Sequence, residues 1–132
     1  MSLKPKGIDH VVLRVHDPVA MERFYVDVLG LTVERRQERI GLTQLRAGGQ
    51  LIDLVDVNGL LGRQGGAAPG PEGRNLDHLC LNLEDFDLPA VEAHLKAHGV
   101  APGESGRRYG ASGFGVSIYL SDPEGNGLEL RG

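Results

Sequence analysis

A seven-residue pattern that begins with Asp-His occurs twice in this chain of 132 residues. Residues 9–15 read DHVVLRV, and residues 77–83 read DHLCLNL. Each copy leads into a helical pattern and further strand patterns, and each half later reaches an apolar–carboxylate–apolar triplet, at residues 52–54 and 128–130. Such a repeat indicates one structural unit used twice. It also duplicates one histidine and one carboxylate, which together form half of a metal-ligand set.

At 132 residues the chain has the length of one domain with a buried core. Its formal net charge of −4 predicts no attraction to nucleic acid or to an anionic membrane. The N-terminal residues lack the apolar run of a signal peptide, and no stretch approaches the roughly 20 apolar residues of a membrane span. The single cysteine, Cys80, cannot form an intrachain disulfide. We therefore expect a cytoplasmic protein whose partner is a small-molecule substrate.

Apolar periodicity predicts a strand, a helix and three more strands in the first half. Asp17 is the predicted N-cap and Pro18 the first residue of the helix, whose apolar residues recur at spacings of three and four until Gly30 ends it. A glycine-containing turn is predicted at residues 47–49. The predicted strands cover residues 8–15, 31–37, 40–45 and 50–55.

The second half repeats this order. Asp87 caps a predicted helix that Gly99 ends, and residues 107–115 are predicted to form a glycine-rich loop. The predicted strands cover residues 75–83, an extended segment from Val100, residues 116–121 and residues 128–131. Each half is therefore βαβββ. The predicted organisation is one domain over residues 1–132, made of module one (7–57), a glycine-rich linker (58–74) and module two (75–132).

Four potential metal ligands share one face of their predicted strands. Side chains alternate between the two faces of a strand, so His10 and His78 lie opposite aliphatic residues that are suited to pack under the helices. Asp53 and Glu129 lie opposite the aliphatic residues of their triplets in the same way. Imidazole nitrogen and carboxylate oxygen suit one divalent ion of zinc, nickel, cobalt, manganese or iron. Two histidines and one carboxylate also leave coordination positions open for a substrate.

We predict a mononuclear metal site of His10, His78 and Glu129, with Asp53 as the candidate fourth ligand. Aspartate is one methylene shorter than glutamate. For Asp53 three outcomes are therefore open: direct coordination, coordination through water, or no contact with the metal. The alternative for each residue taken alone is an ordinary structural histidine or carboxylate.

Arg107, Arg108, Tyr109 and Tyr119 are the candidates for substrate binding. The first three lie in the predicted glycine-rich loop, and the planar guanidinium of arginine suits a carboxylate or a phosphate. Tyr119 has the strand parity of the ligand face. The alternative interpretation of residues 107–109 is an exposed basic turn.

Two other features have metal-binding side chains without a complete ligand set. His94 and His98 are spaced i and i+4 on the second predicted helix, but no third ligand is near them in sequence, so we expect a solvated helix face. Cys80 shares the face of His78 and is expected to be a small buried residue.

The sequence resembles the vicinal oxygen chelate superfamily, which includes glyoxalase I, fosfomycin-resistance thiol transferases, bleomycin-binding proteins, methylmalonyl-CoA epimerase and extradiol dioxygenases. The matching segments are IDHVVLRV (8–15), FYVDVLGL (24–31), LDHL (76–79) and YLSDPEGNGLEL (119–130). The resemblance implies an α+β fold in which two βαβββ modules form a cupped eight-stranded mixed sheet around one divalent metal. It places His10, His78 and Glu129 at ligand positions. Asp53 stands where glyoxalase-like members carry a glutamate that is both ligand and base, so the shorter aspartate departs from that pattern.

The leading interpretation is a metal-dependent lyase or isomerase of glyoxalase type. The metal would bind vicinal oxygens of a small substrate as a Lewis acid, while Asp53 or Glu129 moves a proton. The alternatives are an extradiol-type dioxygenase, a thiol transferase of the fosfomycin-resistance kind and, from another class, a metal-free drug-binding protein. A homodimer is also expected, because open sheet edges need covering and the long linker would allow modules to be exchanged between chains.

Overall fold

Two four-stranded mixed sheets, one in each half of the chain, carry the secondary structure. The computed structural model describes all residues from 1 to 132 and divides into two units, Met1–Pro69 and Gly70–Gly132. Each unit has the order strand, helix, three strands, so the predicted α+β fold of two βαβββ modules is confirmed. None of the helices is both long enough and apolar enough to cross a membrane.

The first unit contains β1 (His10–Val15), α1 (Pro18–Arg23), a π-helical turn (Phe24–Val28), β2 (Thr32–Gln37), β3 (Leu42–Ala47) and β4 (Gln50–Asp56), with 3-10 turns at Glu38–Ile40 and Gly62–Gly65. The strand order is β1-β4-β3-β2, with β1 parallel to β4 and the other pairs antiparallel. The Asp17 carboxylate accepts a hydrogen bond of 3.1 Å from Ala20 N, as expected of an N-cap. The predicted strand at 40–45 begins too early, because Gly41 has a φ of +70° and separates the 3-10 turn from β3.

The second unit contains β5 (His78–Asn82), α2 (Leu88–Ala97), β6 (Ser105–Gly110), β7 (Gly113–Ser121) and β8 (Gly127–Arg131). Its strand order is β5-β8-β7-β6, and only β5 and β8 are parallel. Asp87 caps α2 by accepting a hydrogen bond of 3.1 Å from Ala90 N, and Gly99 follows the helix with a φ of +72°. Both predicted helix ends are therefore confirmed.

The predicted glycine-rich loop at residues 107–115 is wrong. These residues belong to a hairpin in which β6 and β7 pair antiparallel, with Gly110 opposite Gly113. Gly113 has a φ of +99°, which residues other than glycine rarely adopt. Gly110 and Gly115 have another role, because a Cβ on either would collide with the guanidinium of Arg131. These two glycines therefore do not mark a loop. They lie within strands and make room for the Arg131 side chain.

One face of each sheet forms an aliphatic core, as the strand alternation predicted. The buried core of the first unit consists of Leu13, Val15, Leu45, Ile52 and Leu54 of the strands and Met21, Phe24 and Tyr25 of the helical segment. That of the second unit consists of Ile118, Leu120, Leu128 and Leu130 of the strands and Leu95 of α2. The opposite face of each sheet is the one that carries the candidate ligands.

Candidate metal centre

Each unit places one histidine and one carboxylate on adjacent parallel strands, and the register is the same in both. Asp53 of β4 lies opposite Val12 of β1, and Glu129 of β8 lies opposite Cys80 of β5. His10 precedes Val12 by two residues, and His78 precedes Cys80 by two residues. In each unit the histidine and the carboxylate therefore share a face. The repeat in the sequence is therefore also a repeat in the two sheets.

His78 has a carboxylate at both of its ring nitrogens. Nδ1 donates to Asp77 Oδ1 at 2.6 Å, and Nε2 lies 3.2 Å from Glu129 Oε1. The hydrogen bond to Asp77 is the main reason that the pKa of His78 is raised, and the charge of Glu129 adds to it. Glu129 is only 6% exposed. A cation between Nε2 and this buried carboxylate, either a proton or a metal ion, would balance its charge.

His10 has the same anchor but a different carboxylate arrangement. Nδ1 donates to Asp9 Oδ1 at 2.7 Å, and this hydrogen bond, followed by the charge of Asp53, raises the pKa of His10. Asp53 is 4% exposed and accepts hydrogen bonds of 3.3 Å at both oxygens from Gln44 Nε2. Gln44 is its cross-strand neighbour on β3. The shorter side chain of Asp53 thus bonds across the sheet, whereas the longer Glu129 reaches its histidine.

The donor atoms fit a divalent metal. Metal-binding histidines commonly donate their second ring N–H to a carboxylate, which fixes the tautomer and the ring orientation. Asp9 and Asp77 accept this hydrogen bond from His10 and His78, so Nε2 is the nitrogen of each ring that could bind a metal. The structure contains no group of three or more His, Cys, Asp or Glu side chains placed to hold a metal ion. Each unit contains one candidate pair of a histidine and a carboxylate.

Two of the four substrate-binding candidates lie on the ligand face of the second sheet. Tyr119 is the cross-strand partner of Glu129, and its ring contacts His78 edge-on with 5.4 Å between the centroids. Desolvation, and then the charge of Glu129, raise the pKa of Tyr119, so its hydroxyl is a donor at neutral pH. The Arg108 guanidinium lies 4.6 Å from the centre of the Tyr119 ring and donates to Ser117 Oγ at 3.0 Å.

The other two candidates, Arg107 and Tyr109, lie on the opposite face of the sheet. Their cross-strand partners are Val116 and Phe114. The Arg107 guanidinium lies 4.5 Å from the centre of the Phe114 ring, and the rings of Tyr109 and Phe114 are 5.1 Å apart. Tyr109 is 74% exposed and Phe114 63%. Successive side chains of β6 point to opposite faces, so Arg107 and Tyr109 lie on the other side of the sheet from Arg108. The prediction of a loop here missed this separation.

Cys80 is exposed, which corrects the expectation that it is buried. Although part of the residue reaches solvent, desolvation of the thiol and the charge of Glu129 raise the pKa of Cys80 to about 11. The sulfur is therefore a thiol at neutral pH and a weak nucleophile. His94 and His98 are exposed at the end of α2, as expected for a solvated face, and His98 Nδ1 bonds to the His94 carbonyl oxygen.

Four residues that bond to or adjoin the candidate ligands were not among the predicted site residues: Asp9, Gln44, Asp77 and Arg131. The two aspartates carried a usable signal, because each directly precedes its histidine in the repeat. Gln44 could be found only from the antiparallel register of β3 and β4. Arg131 could have been found from its parity with Glu129.

Comparison with known proteins gives a consistent family. Residues 7–130 match the model of the Glyoxalase/Bleomycin resistance protein/Dioxygenase superfamily. The glyoxalase domain-containing protein RDO1 of Mycosarcoma maydis is 31% identical over 130 residues, which are 98% of this chain and 69% of that protein. The catechol-2,3-dioxygenase of Bacillus subtilis is 32% identical over 111 residues, which are 82% of this chain but 35% of the dioxygenase, so the chain spans about a third of that relative.

Solved structures agree with this result. The virulence protein STM3117 of Salmonella typhimurium superposes on this chain with a TM-score of 0.81 at 27% identity, and the match covers 98% of both chains. The sequence match over nearly the whole chain and the two βαβββ units together establish the family. This chain belongs to the glyoxalase/bleomycin resistance protein/dioxygenase superfamily, the vicinal oxygen chelate proteins.

Proposed function

We propose that this chain is a divalent-metal-dependent enzyme that acts on a small substrate with two adjacent oxygens. One observation carries the proposal: both histidines of the repeat bond an aspartate through Nδ1 and share a sheet face with a buried carboxylate. This is the arrangement that a metal-binding histidine needs. His10, His78 and Glu129 are the proposed ligands.

A divalent metal bound there would act as a Lewis acid on the substrate oxygens. Asp9 and Asp77 hold the two imidazole rings so that Nε2 is the ligand atom, and Glu129 contributes a carboxylate oxygen. The Tyr119 hydroxyl, which stays protonated, donates a hydrogen bond to substrate. Arg108, stacked on that ring, offers a positive charge to an anionic substituent.

Asp53 is the proposed proton-transfer group. Gln44 donates to both oxygens of Asp53 and holds the carboxylate toward β3. To accept a proton it needs only a further contact at one of those oxygens. With Glu129 engaged as a ligand, a separate carboxylate for proton transfer supports a lyase or isomerase of glyoxalase type.

Extradiol-type dioxygenation is the second candidate, and two observations favour it. If Asp53 stays bonded to Gln44 and does not coordinate, the ligand set is two histidines and one carboxylate, as in non-haem iron oxygenases. The chain is also 32% identical to a catechol-2,3-dioxygenase over 82% of its length. Iron would be the metal in that reaction.

The proposed assembly is a homodimer. Since no three candidate ligands are grouped in the structure of one chain, the proposed site draws His10 and Asp53 from one chain and His78 and Glu129 from the other. A twofold dimer satisfies this need reciprocally if units are exchanged between chains. Mixing His10→Ala and Glu129→Ala chains should then regain activity that neither has alone, and a monomer in light scattering would contradict the dimer.

Purification under anaerobic conditions without an affinity tag, followed by metal analysis and two assays, tests the proposed function. Zinc, nickel or cobalt with turnover of the methylglyoxal–glutathione hemithioacetal supports the lyase, and iron with oxygen uptake on catechol supports the dioxygenase. His78→Ala should lose metal and activity, whereas His94→Ala, which changes an exposed histidine, should keep both. Bleomycin binding by a metal-stripped protein that turns over neither substrate would contradict the enzymatic proposal.

A further inference from the structure

Arg131 is a buried cation on the ligand face of the second sheet, and the proposed function does not use it. It follows Glu129 by two residues on β8, so its side chain leaves the same face about 7 Å along the strand. Only 5% of the residue is exposed. Nη2 donates to Gly113 O at 2.7 Å, whereas Nη1 is buried without a hydrogen-bond partner.

Arg131 takes part in none of the ion pairs of the structure. A buried charge without a partner is costly, because it has lost its hydration and gained nothing in return. Arg14 of the first unit provides a contrast. Its two Nη atoms donate to four carbonyl oxygens within residues 62–67, at 2.9–3.1 Å. Backbone carbonyls can thus satisfy both Nη atoms of a guanidinium in this fold, but they do not satisfy Nη1 of Arg131.

Two glycines make room for this guanidinium. A Cβ at Gly110 would overlap Nη1, and a Cβ at Gly115 would lie 2.8 Å from Nη2. Glycine within a strand lowers stability, because it is flexible and has no side chain to pack. An apolar residue in place of Arg131 would remove the buried charge and the requirement for glycine at position 110, whereas a Cβ at Gly115 would still lie 2.6 Å from Gly132 O. A purely structural role therefore does not account for the arginine.

The two charged groups that share a sheet face with Arg131, namely Arg108 and Glu129, both have other partners. Its cross-strand partner Ser117 is fully buried and bonds to Arg108 Nη1. The carboxylate two residues away, Glu129, already has an imidazole partner. Glu104 lies 3.5 Å from Arg108 and is exposed. The ligand face beside Glu129 therefore carries two guanidinium groups, one of which has an unused donor.

We propose that Arg131 binds the anionic group of the substrate, a carboxylate or a phosphate. This inference deepens the proposed function, on which it rests, by specifying a small anion. Its chelating oxygens lie toward Glu129 and its negative group lies toward the β6–β7 hairpin. The planar guanidinium can offer Nη1 to one oxygen of such a group. Since Gly110 covers that atom, a small displacement of the hairpin turn gives the anion access.

Titration of the metal-free protein with inorganic phosphate, and separately with malonate, tests the proposal at constant ionic strength. We expect one of the anions to shift the amide NMR signals of Gly113 and Gly115. Arg131→Met should weaken its binding by about tenfold or more. Arg107→Met removes an exposed guanidinium from the opposite face and should bind as the wild type does. A preference for phosphate indicates a phosphorylated substrate, and a preference for malonate indicates a carboxylic acid.

Thermal unfolding separates recognition from a structural role. Arg131→Met should unfold at or above the wild-type temperature, and Arg131→Lys, which keeps the charge but not the planar fork, should bind with intermediate affinity. Equal binding by Arg131→Met and the wild type, or unshifted Gly113 and Gly115 signals with both anions, would overturn the proposal. If Arg131→Met does not fold, the wild-type shifts and Arg131→Lys decide.

The metal is absent from this titration, so the anion site and the metal site are tested separately. Loss of anion binding in Arg131→Met should leave the metal content of that variant unchanged. Conversely, a protein that binds no metal but still binds phosphate or malonate at Arg131 would refute the proposed function and retain the anion site.

Discussion

The Nδ1 atom of His78 lies 2.6 Å from the Oδ1 atom of Asp77. This contact directs the other ring nitrogen, Nε2, toward Glu129 and raises the pKa of the imidazole. A carboxylate at each ring nitrogen stabilises the imidazolium form of His78 relative to an ordinary histidine. A metal ion must replace the Nε2 proton, so metal binding should release protons and weaken as the pH falls.

Asp77→Asn should lower the pKa of His78, because the hydrogen bond to that carboxylate is the largest cause of the raised value. A raised folded-state pKa contributes stability that is complete below the ordinary histidine pKa of about 6.5 and is lost as the pH rises through the folded value. The metal-free wild type should therefore lose more stability above about pH 6.5 than Asp77→Asn does. NMR titration of His78 and thermal unfolding across this range measure both effects. An unchanged pKa of His78 in Asp77→Asn would contradict the assignment.

Substitution of the two buried carboxylates should separate metal binding from proton transfer. Glu129→Gln should lower metal affinity by more than about 100-fold, since losing a ligand costs more than losing a group that only bonds to a ligand. Asp53→Asn should keep most of the metal and lose activity by about 100-fold or more. Metal titrations and steady-state rates of both variants give the comparison. Loss of metal from Asp53→Asn would show instead that Asp53 coordinates.

Gly62→Ala should destabilise the first unit. A Cβ at this position would overlap the carbonyl oxygen of Asp56 and lie 2.7 Å from the Cα of Val57, and backbone atoms cannot move aside as a side-chain end can. We expect a loss of about 1–3 kcal/mol in the free energy of unfolding, measured with urea. Gly70→Ala is the matched control, because nothing lies within 4 Å of a Cβ there. Equal stability of the two variants would argue against this packing.

Cys80 should react slowly with iodoacetamide at pH 8, because burial and the charge of Glu129 raise the pKa of its thiol to about 11. Glu129→Gln removes the second of these causes and should speed the reaction several-fold. The rate of alkylation, followed by mass spectrometry, measures this change. Identical rates in the two proteins would mean that Glu129 does not face Cys80 across β5 and β8.

The fold was predictable because its signals are local and occur twice. Asp17 and Asp87 cap their helices as expected, and strict alternation identified the buried side of the strands. The β6–β7 hairpin was missed because Gly110 and Gly115 have the sequence signature of a loop. Gly110 is constrained by the guanidinium of Arg131, and Gly115 by Gly132 O as well as that guanidinium, and both neighbours are distant in sequence.

The ligand face was predictable only as far as strand parity extends. Parity correctly places Asp53 on the same face as His10, but the contact that Asp53 makes depends on Gln44. Arg107 and Arg108 are adjacent in sequence and have opposite environments, because β6 turns one to each face. A side chain's contacts depend on register, which composition and spacing do not contain.

Titration of the metal-free protein with Co²⁺ tests most directly the proposal that His10 and His78 bind the same divalent ion. The visible absorption of bound cobalt reports stoichiometry and affinity together. We expect one ion per chain in the wild type and in His94→Ala, and loss of that same site in His10→Ala of the first unit and in His78→Ala of the second. Wild-type stoichiometry and affinity in either of these two variants would contradict a metal site that contains both histidines.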